Sequence, residues 1–214
     1  MGLTSRLLSI ASIALFYLLG VQVLNFFSLK KLGRFPGRKD YPFVSILVPA
    51  RNEERNIEKC ITSLLQQDYP NFEVIVLDDE SEDRTWQILS RLAQENEKLR
   101  LIKGKPLPEG WIGKCWACHQ LSEKARGDFL LFVDADTYHK PSMLRSVMDA
   151  AGFYGADLIS GLPHEKIETF SELLTIPLIS WGILAALPLP LAFALPHPGL
   201  SITIGQLLLF RRES

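Results

Sequence analysis

Hydrophobic positions along the chain fall into three stretches with different periods. The first, residues 7–29, carries no charge at all and is closed by Lys30, Lys31, Arg34, Arg38 and Lys39. At ~1.5 Å rise per residue, a run of this length crosses a hydrocarbon core of ~30 Å. It leaves through Phe26-Phe27-Ser28-Leu29 rather than a small-residue cleavage site, which favours an uncleaved transmembrane anchor over a signal peptide. The heavier basic flank lies on the C-terminal side and places the residues after Lys30 on the cytosolic side.

In the second stretch, short apolar runs alternate with helix-spaced ones. Val44-Ser-Ile-Leu-Val48, Phe72-Glu-Val-Ile-Val-Leu77, Leu99-Arg-Leu-Ile102 and Phe129-Leu-Leu-Phe-Val133 read as short strands, the continuous ones buried on both faces. Ile57, Cys60, Ile61, Leu64 and Leu65 recur at spacings of three and four, predicting a helix that ends before Tyr69-Pro70. Three more helices are predicted over residues 85–99, 117–125 and 141–152, the last with Pro141 in its first turn. Strand–helix alternation means right-handed crossovers, so the expected fold class is α/β, a mostly parallel sheet flanked by helices. Such sheets bind ligands beyond the carboxyl ends of their strands. Here those ends are polar: Pro49-Ala-Arg-Asn-Glu-Glu54, Asp78-Asp79-Glu80-Ser81 and Asp134-Ala-Asp136-Thr137.

The third stretch, residues 171–204, has one charge, Glu172, and five prolines, Pro177, Pro188, Pro190, Pro196 and Pro198. Residues 173–195 have the length of a span, but internal prolines interrupt the helical ladder. A membrane-surface or re-entrant segment is therefore expected in place of a clean second span. A last strand-like run, Gln206-Leu-Leu-Leu-Phe210, precedes Arg211-Arg-Glu-Ser214.

Composition changes this picture little. With 47% hydrophobic and 22% charged residues among 214, the chain has the material for an ordered core. A formal net charge of −1 argues against nucleic acid as a partner. Three cysteines, Cys60, Cys115 and Cys118, do not indicate a disulfide framework in a cytosolic domain.

Two acidic strand ends carry the candidate chemistry. Asp134 and Asp136, either side of one small residue, can serve a divalent cation and a ribose together; Mg²⁺ and Mn²⁺ take hard oxygen ligands, usually one or two from protein. An ordinary strand-terminal turn or helix cap is the competing account of such a pair. Asp78 and Asp79 can accept from a base N–H or from ribose hydroxyls. Ser81 or Asp83 can instead be capping the helix after them, and both roles can hold at once.

Taken together, Val44-Ser-Ile-Leu-Val-Pro-Ala-Arg-Asn-Glu-Glu54, Val74-Ile-Val-Leu-Asp-Asp-Glu-Ser81 with Asp83 and Thr85, and Gly127-Asp-Phe-Leu-Leu-Phe-Val-Asp-Ala-Asp136 resemble the nucleotide-sugar half of the family 2 glycosyltransferases. Pro106-Leu-Pro-Glu-Gly-Trp-Ile-Gly-Lys114, with Trp116 and Ala117, is similar to a subgroup of bacterial membrane enzymes that glycosylate lipid-like acceptors, including carotenoid acids. The resemblance implies a GT-A-like fold and metal-dependent, inverting transfer from a nucleotide-sugar donor to a lipid or other membrane-associated acceptor. It implies an inner-membrane protein with a cytoplasmic catalytic domain. Pro49, Arg51, Asn52, Glu53 and Asp79 are implied to hold the nucleoside, with Asp78 beside them. Asp134 is implied to hold the ribose or sugar, Asp136 the metal, and Lys114 the diphosphate or sugar. The expected domains are a transmembrane anchor at 1–30, a basic juxtamembrane linker at 31–43 and the nucleotide-sugar-binding domain at 44–160. An apolar membrane-associated segment and the start of an acceptor region are expected at 161–214.

The family places its general base after the donor half, in an acidic pair beyond a Gly-rich strand and turn. The sequence stops at Ser214, where that region is expected to begin, so no residue is assigned as the base and a truncated donor half is expected. The alternatives are an incomplete fragment or scaffold that only binds nucleotide-sugar, and a nucleotidyltransferase. The latter would carry a glycine-rich basic loop after the first strand, where Pro49-Ala-Arg-Asn-Glu-Glu54 is acidic and lacks glycine. Cys115-Trp-Ala-Cys118-His119 fits haem attachment, but haem attachment needs a periplasmic domain and an axial ligand better placed than Met143 or Met148. A zinc site would need further partners, and His139, His164 and His197 are scattered. Two helix-buried thiols are expected instead, and His139 is not assigned to the metal.

Overall fold

The computed structural model describes residues 2–29, 31–161, 164–167, 169–195, 197 and 203–212. The chain forms two compact units, Met1–Lys31 with His164–Ile202, and Leu32–Pro163 with Thr203–Ser214.

The larger unit is built on a six-stranded sheet. Its strands are β1 (Val44–Ala50), β2 (Phe72–Asp78), β3 (Leu99–Lys103), β4 (Phe129–Val133), β5 (Leu158–Ser160) and β6 (Leu207–Arg211), in the order β3-β2-β1-β4-β6-β5. β1 lies at the centre, parallel to β2 with Val44 opposite Phe72 and parallel to β4 with Val44 opposite Phe129. β6 runs antiparallel to both β4 and β5. The expected mostly parallel α/β fold is the one observed.

Side-chain alternation along the strands divides the core between the two faces. Ile46 and Val48 of β1 and Val74 and Val76 of β2 pack with Ile57, Cys60, Ile61 and Leu64 of α2 (Ile57–Leu65), Leu89 and Leu92 of α3 (Thr85–Glu95) and Leu144, Val147 and Met148 of α5 (Met143–Tyr154). Leu47, Ile75, Leu77 and Leu130 point the other way and meet Ala117 and Leu121 of α4 (Gly113–Lys124). Burying each of these aliphatic side chains contributes about 1.5–3 kcal/mol. α5 ends on Gly155, whose φ of +57° lets the chain turn back as Ala156 N–H donates to Ala151 C=O.

Three differences from the expected elements have local causes. α3 stops at Glu95 because Asn96 is already extended. α4 begins at Gly113, four residues before the expected start, so Lys114 sits on a helical first turn; a glycine there hides the start from propensity. β5 has three residues, too few to show a period, and was not expected.

The smaller unit contains α1 (Leu3–Ser28), α6 (Phe170–Ala186) and α7 (Leu189–Ala194). α1 is long and apolar enough to cross a membrane over Thr4–Ser28. α6 opens with a capping box in which Thr169 and Glu172 bond each other's backbone N–H groups, and it holds Pro177 inside. Pro188 precedes α7 and Pro190 lies in its first turn. Pro196 and Pro198, two of the five prolines of the apolar stretch, lie outside the described residues.

Candidate active site

The loops that follow β1 and β2 are tied together by hydrogen bonds. Asp79 N–H donates to Ala50 C=O at 2.8 Å. Asn52 N–H donates to Ser81 Oγ at 3.0 Å, and Glu82 N–H returns to Asn52 Oδ1 at 2.8 Å. Glu53 N–H donates to Thr85 Oγ1 at 2.8 Å and Glu54 N–H to Asp83 Oδ2 at 3.0 Å. Asp83 also accepts from the N–H of Thr85, the first residue of α3, so one carboxylate satisfies that helix end and cross-links the loops. Asn52 and Glu80 adopt φ values of +56° and +57°, a region L residues enter at a cost, and the cross-links hold them there.

The end of β4 is held from below. Asp134 C=O accepts from Thr137 Oγ1 at 2.6 Å and from the Cys60 thiol at 3.6 Å. His139 Nε2 pairs with Thr137 Oγ1 at 2.7 Å, and His139 N–H donates to Ser63 Oγ at 3.1 Å. Burial lowers the His139 pKa to about 4, so the ring is neutral at physiological pH. Burial likewise pushes the Cys60 thiol up to about 12. These residues set the pose of the Asp134–Asp136 turn from behind it.

Between the strand ends lies a cleft of about 420 Å³ lined by Pro49, Ala50, Arg51, Glu53, Asp79, Gly113, Lys114, Ala117, Asp134, Ala135 and Asp136. Lys114 Nζ meets Asp134 Oδ1 at 2.6 Å, which brings the first turn of α4 onto the end of β4. Burial raises the Asp79 pKa, Arg51 opposes this, and Glu80 and Asp78 add to it. Gly104 and Gly113 leave room for that carboxylate: a Cβ on Gly104 would stand 3.2 Å from Asp79 Oδ1 and one on Gly113 3.9 Å from Oδ2.

Of the nine residues proposed from sequence, seven line the cleft. Asn52 is spent on the cross-link between two loops. Asp78 is fully buried and ion-paired with Lys103 at 3.2 Å, and its Oδ1 has no hydrogen-bond partner among the described residues. Ala50, Gly113, Ala117 and Ala135 were missed; they are small residues that admit a ligand by what they lack, and no composition signal marks them.

Asp134 and Asp136 offer hard oxygen donors, but among the described residues no group of three or more His, Cys, Asp or Glu is placed to hold a metal by itself. The pair therefore fits a Mg²⁺ or Mn²⁺ ion that completes its shell with phosphate and water. The expectation of two buried thiols on α4 is not met. Cys115 is exposed and Cys118 half-buried, because α4 turns this side away from the sheet; His119 there stacks on Trp116 at 5.5 Å and lies 5.0 Å from Trp111.

A mostly parallel sheet, covered on both faces, with acidic strand ends around a cleft of this size is the architecture of nucleotide-sugar-dependent transferases. The family model for glycosyl transferase family 2 matches residues 45–214, and the chain belongs to that family. Over 109 residues it is 39% identical to a beta-monoglucosyldiacylglycerol synthase of Trichormus variabilis, covering 50% of this chain and 23% of that protein. Over 93 residues it is 38% identical to a 4,4'-diaponeurosporenoate glycosyltransferase of Staphylococcus haemolyticus, covering 44% and 24%. The chain thus spans about a quarter of the length of these curated relatives. Among solved structures, the mannosyltransferase PcManGT of Pyrobaculum calidifontis, in complex with GDP-Man and Mn²⁺, shares the fold at a TM-score of 0.70 with 21% identity, over 96% of this chain and 55% of that one. Glucosyl-3-phosphoglycerate synthase of Mycobacterium tuberculosis, with Mn²⁺, UDP and glucosyl-3-phosphoglycerate, does so at 0.53 with 24% identity, over 80% and 57%.

Proposed function

We propose that this protein transfers a sugar from a nucleotide-sugar donor to a lipid-like acceptor at a membrane, with inversion at the anomeric carbon. The observation that carries this is the 2.6 Å contact of Lys114 with Asp134 in a cleft walled by three strand ends. It sets a cation on Asp134, in the cleft that Asp136 also lines, where the diphosphate would sit. In this assignment Asp79, with Arg51 and the Pro49–Glu53 loop, receives the nucleoside. Asp79 accepts from base or ribose, and the charge of buried Asp78 adds negative potential next to it. Asp134 orients the sugar or ribose. Lys114 is shared between Asp134 and the diphosphate, and leans toward the latter as the leaving group gains charge. Asp136 is the metal ligand; a divalent cation bound there offsets diphosphate charge as a Lewis acid.

In the reaction the acceptor oxygen forms a bond to the anomeric carbon as the bond to the diphosphate oxygen breaks, and a general base takes the hydroxyl proton. That base is assigned to no residue of this chain. A lipid-like acceptor is supported by the names of the relatives above and by the apolar α1. α1 and the basic residues after it also support a membrane protein with its larger unit on the cytoplasmic side.

The test is a thermal melt of the full chain in detergent with UDP or GDP and Mn²⁺. Ligand at 100 times its dissociation constant stabilises by about 2.7 kcal/mol, a shift of several degrees. Asp136→Ala is expected to remove the Mn²⁺-dependent part of that shift. A melt unmoved by either nucleotide, with Mn²⁺ or Mg²⁺, refutes the donor site. A shift without sugar transfer to extracted lipid leaves the scaffold alternative.

A further inference from the structure

We infer that Phe35, Phe153 and Tyr154, with Arg34 and Lys39, form a second membrane contact, an aromatic and basic patch of the larger unit that docks on anionic lipid headgroups. This rests on the membrane reading of α1 proposed above. All five residues belong to the larger unit.

The chain that follows α1 does not hang loose, because it lies against α5. A Cβ on Gly33 would stand 3.8 Å from Ser146 Oγ, and the Arg38 side chain crosses Gly152. Arg38 N–H donates to Asp149 Oδ1 at 2.9 Å. Farther on, Arg145 stacks over Tyr41 at 5.4 Å, and Tyr41 meets the buried Tyr69 edge-on. These contacts already fasten the segment. Phe35 adds one of another kind: its ring lies 5.5 Å from those of Phe153 and Tyr154, which are 5.0 Å apart. That cluster does not close on itself, since Phe153 stays 50% exposed and Tyr154 43%. α5 ends there and Gly155 turns the chain back, so the rings stand at the tip of the helix. Clustered aromatic rings left half in water mark an interaction surface.

The charges beside the rings say what the surface meets. Arg34 and Lys39 are exposed and form no ion pair among the described residues. The acids nearby are already answered. Asp40 pairs with Arg38 at 2.6 Å, Asp149 accepts the Arg38 N–H, and Asp157 pairs with Arg211 at 2.7 Å. Lys30 and Lys31 come just before in the chain. Aromatic rings settle at headgroup level, and cations beside them are drawn to the negative potential of anionic lipid.

Reach favours lipid over an acidic protein. Seven residues carry the chain from Ser28, the last of α1, to Phe35, which is at most ~25 Å when fully extended. Leu32 and Gly33 form a turn, with Gly33 at φ +86°, and shorten that span. A patch tethered so closely meets the bilayer at an effective concentration on the order of mM. A contact too weak to recruit a free protein is then sufficient. α1 alone leaves the larger unit free to swivel about its tether; the second contact fixes which side of it faces the lipid.

The experiment is quenching of a nitrobenzoxadiazole probe on single cysteines by lipids brominated along their acyl chains. The full chain, with Cys115 and Cys118 replaced by serine and the buried Cys60 kept, is placed in phosphatidylethanolamine–phosphatidylglycerol vesicles. A probe at Phe153→Cys is expected to lose at least half of its emission. One at Gln94→Cys, on α3 before the opposite edge strand β3, is expected to lose less than a tenth. Adding Phe35→Ser and Tyr154→Ser is expected to bring the 153 probe down to the level of residue 94. In vesicles diluted with phosphatidylcholine until docked and undocked lifetimes are both present, Arg34→Gln with Lys39→Gln is expected to lower their ratio about 25-fold, roughly fivefold per charge. A ratio within twofold of the parent overturns the part given to Arg34 and Lys39. An unquenched probe at 153 beside a quenched one at Ile13→Cys overturns the patch and leaves α1 in the bilayer. An unquenched probe at Ile13→Cys means that the membrane reading itself fails and takes the patch with it. A 153 probe shielded from aqueous iodide yet untouched by brominated lipid means that protein covers the rings, which also overturns the proposal.

Discussion

Gly127 is the position where replacement by alanine should cost the larger unit most for the fewest atoms added. It does not have a positive φ, so its requirement is space rather than backbone freedom. A Cβ there would stand 2.5 Å from Ser45 N, 2.7 Å from Phe129 O and 2.9 Å from Phe43 O. Relaxed carbon contacts lie at ~3.5–4.0 Å, so each neighbour would have to give by roughly 0.6–1 Å. All three are backbone atoms at the edge of the β1–β4 pairing, and no rotamer change relieves them. Moving the 126–128 loop away would strain a buried polar junction. Gly127 and Arg126 both donate to Ser45 Oγ, at 2.9 and 3.1 Å, and Arg126 N–H also reaches Glu73 Oε1 at 3.0 Å. Overpacking costs ~1–3 kcal/mol and each weakened hydrogen bond ~0.5–1.5, a total of about 3–5 kcal/mol. At ~2–4 °C per kcal/mol for a chain of this size, the melting point of Gly127→Ala should fall by roughly 6–20 °C. The measurement is a circular-dichroism melt of the full chain in detergent, with Gly152→Ala alongside. There the nearest atoms to the new methyl belong to the flexible Arg38 side chain, at 3.0–3.1 Å, and a helical Gly→Ala gains ~0.5–1 kcal/mol, so the two effects nearly cancel. If both variants melt within ~2 °C of the parent, backbone crowding is not what reserves position 127 for glycine.

Two titrating groups give further expected outcomes. His139 titrates near 4 in the folded protein against an ordinary 6.5, so the stability it contributes is complete above pH 6.5 and is lost as pH falls toward 4. Urea unfolding should give about 2 kcal/mol less stability at pH 5 than at pH 7.5 from this residue, and His139→Gln should flatten the slope; an unchanged slope refutes the assignment. Asp79 is shifted the other way: burial, with Glu80 and Asp78, raises its pKa, so its ionised form costs stability as pH rises through that value. Asp79→Asn should melt higher than the parent at pH 7 and lose that advantage in acid. The same variant should bind UDP roughly 10- to 100-fold more weakly, the worth of a charged hydrogen bond. A variant both less stable and equally tight in binding contradicts the role given to Asp79.

Much of the site could be seen before the fold because it lies at strand ends. Strands buried on both faces announce themselves as unbroken apolar runs, and the first polar residues after them mark the carboxyl edge. That is how Asp79, Asp134 and Asp136 were singled out; Pro49, Arg51 and Glu53 lie at such an end too, but their role came from the family resemblance. Lys114 came only from family resemblance, since a lysine after Gly113 has no period to betray it. The split between Asp78 and Asp79 was not legible either. Adjacent residues at a strand end point to opposite sides, and which of them enters the cleft depends on the register of β2 against β1, where Asp78 sits opposite Ala50.

By itself, then, the sequence determined the periods: an apolar run long enough for a membrane, alternating strands and helices, and acidic residues at three strand ends. Those are properties of neighbours along the chain, written in spacing and residue type. Only the tertiary structure decided the rest. It inserted β6 antiparallel between β4 and β5, put Lys114 on Asp134 across 20 positions, and aimed Asn25 at backbone groups more than 150 residues away. Such pairings depend on which surfaces are left after the core has closed, and a polar side chain finds its partner by geometry that no local pattern records.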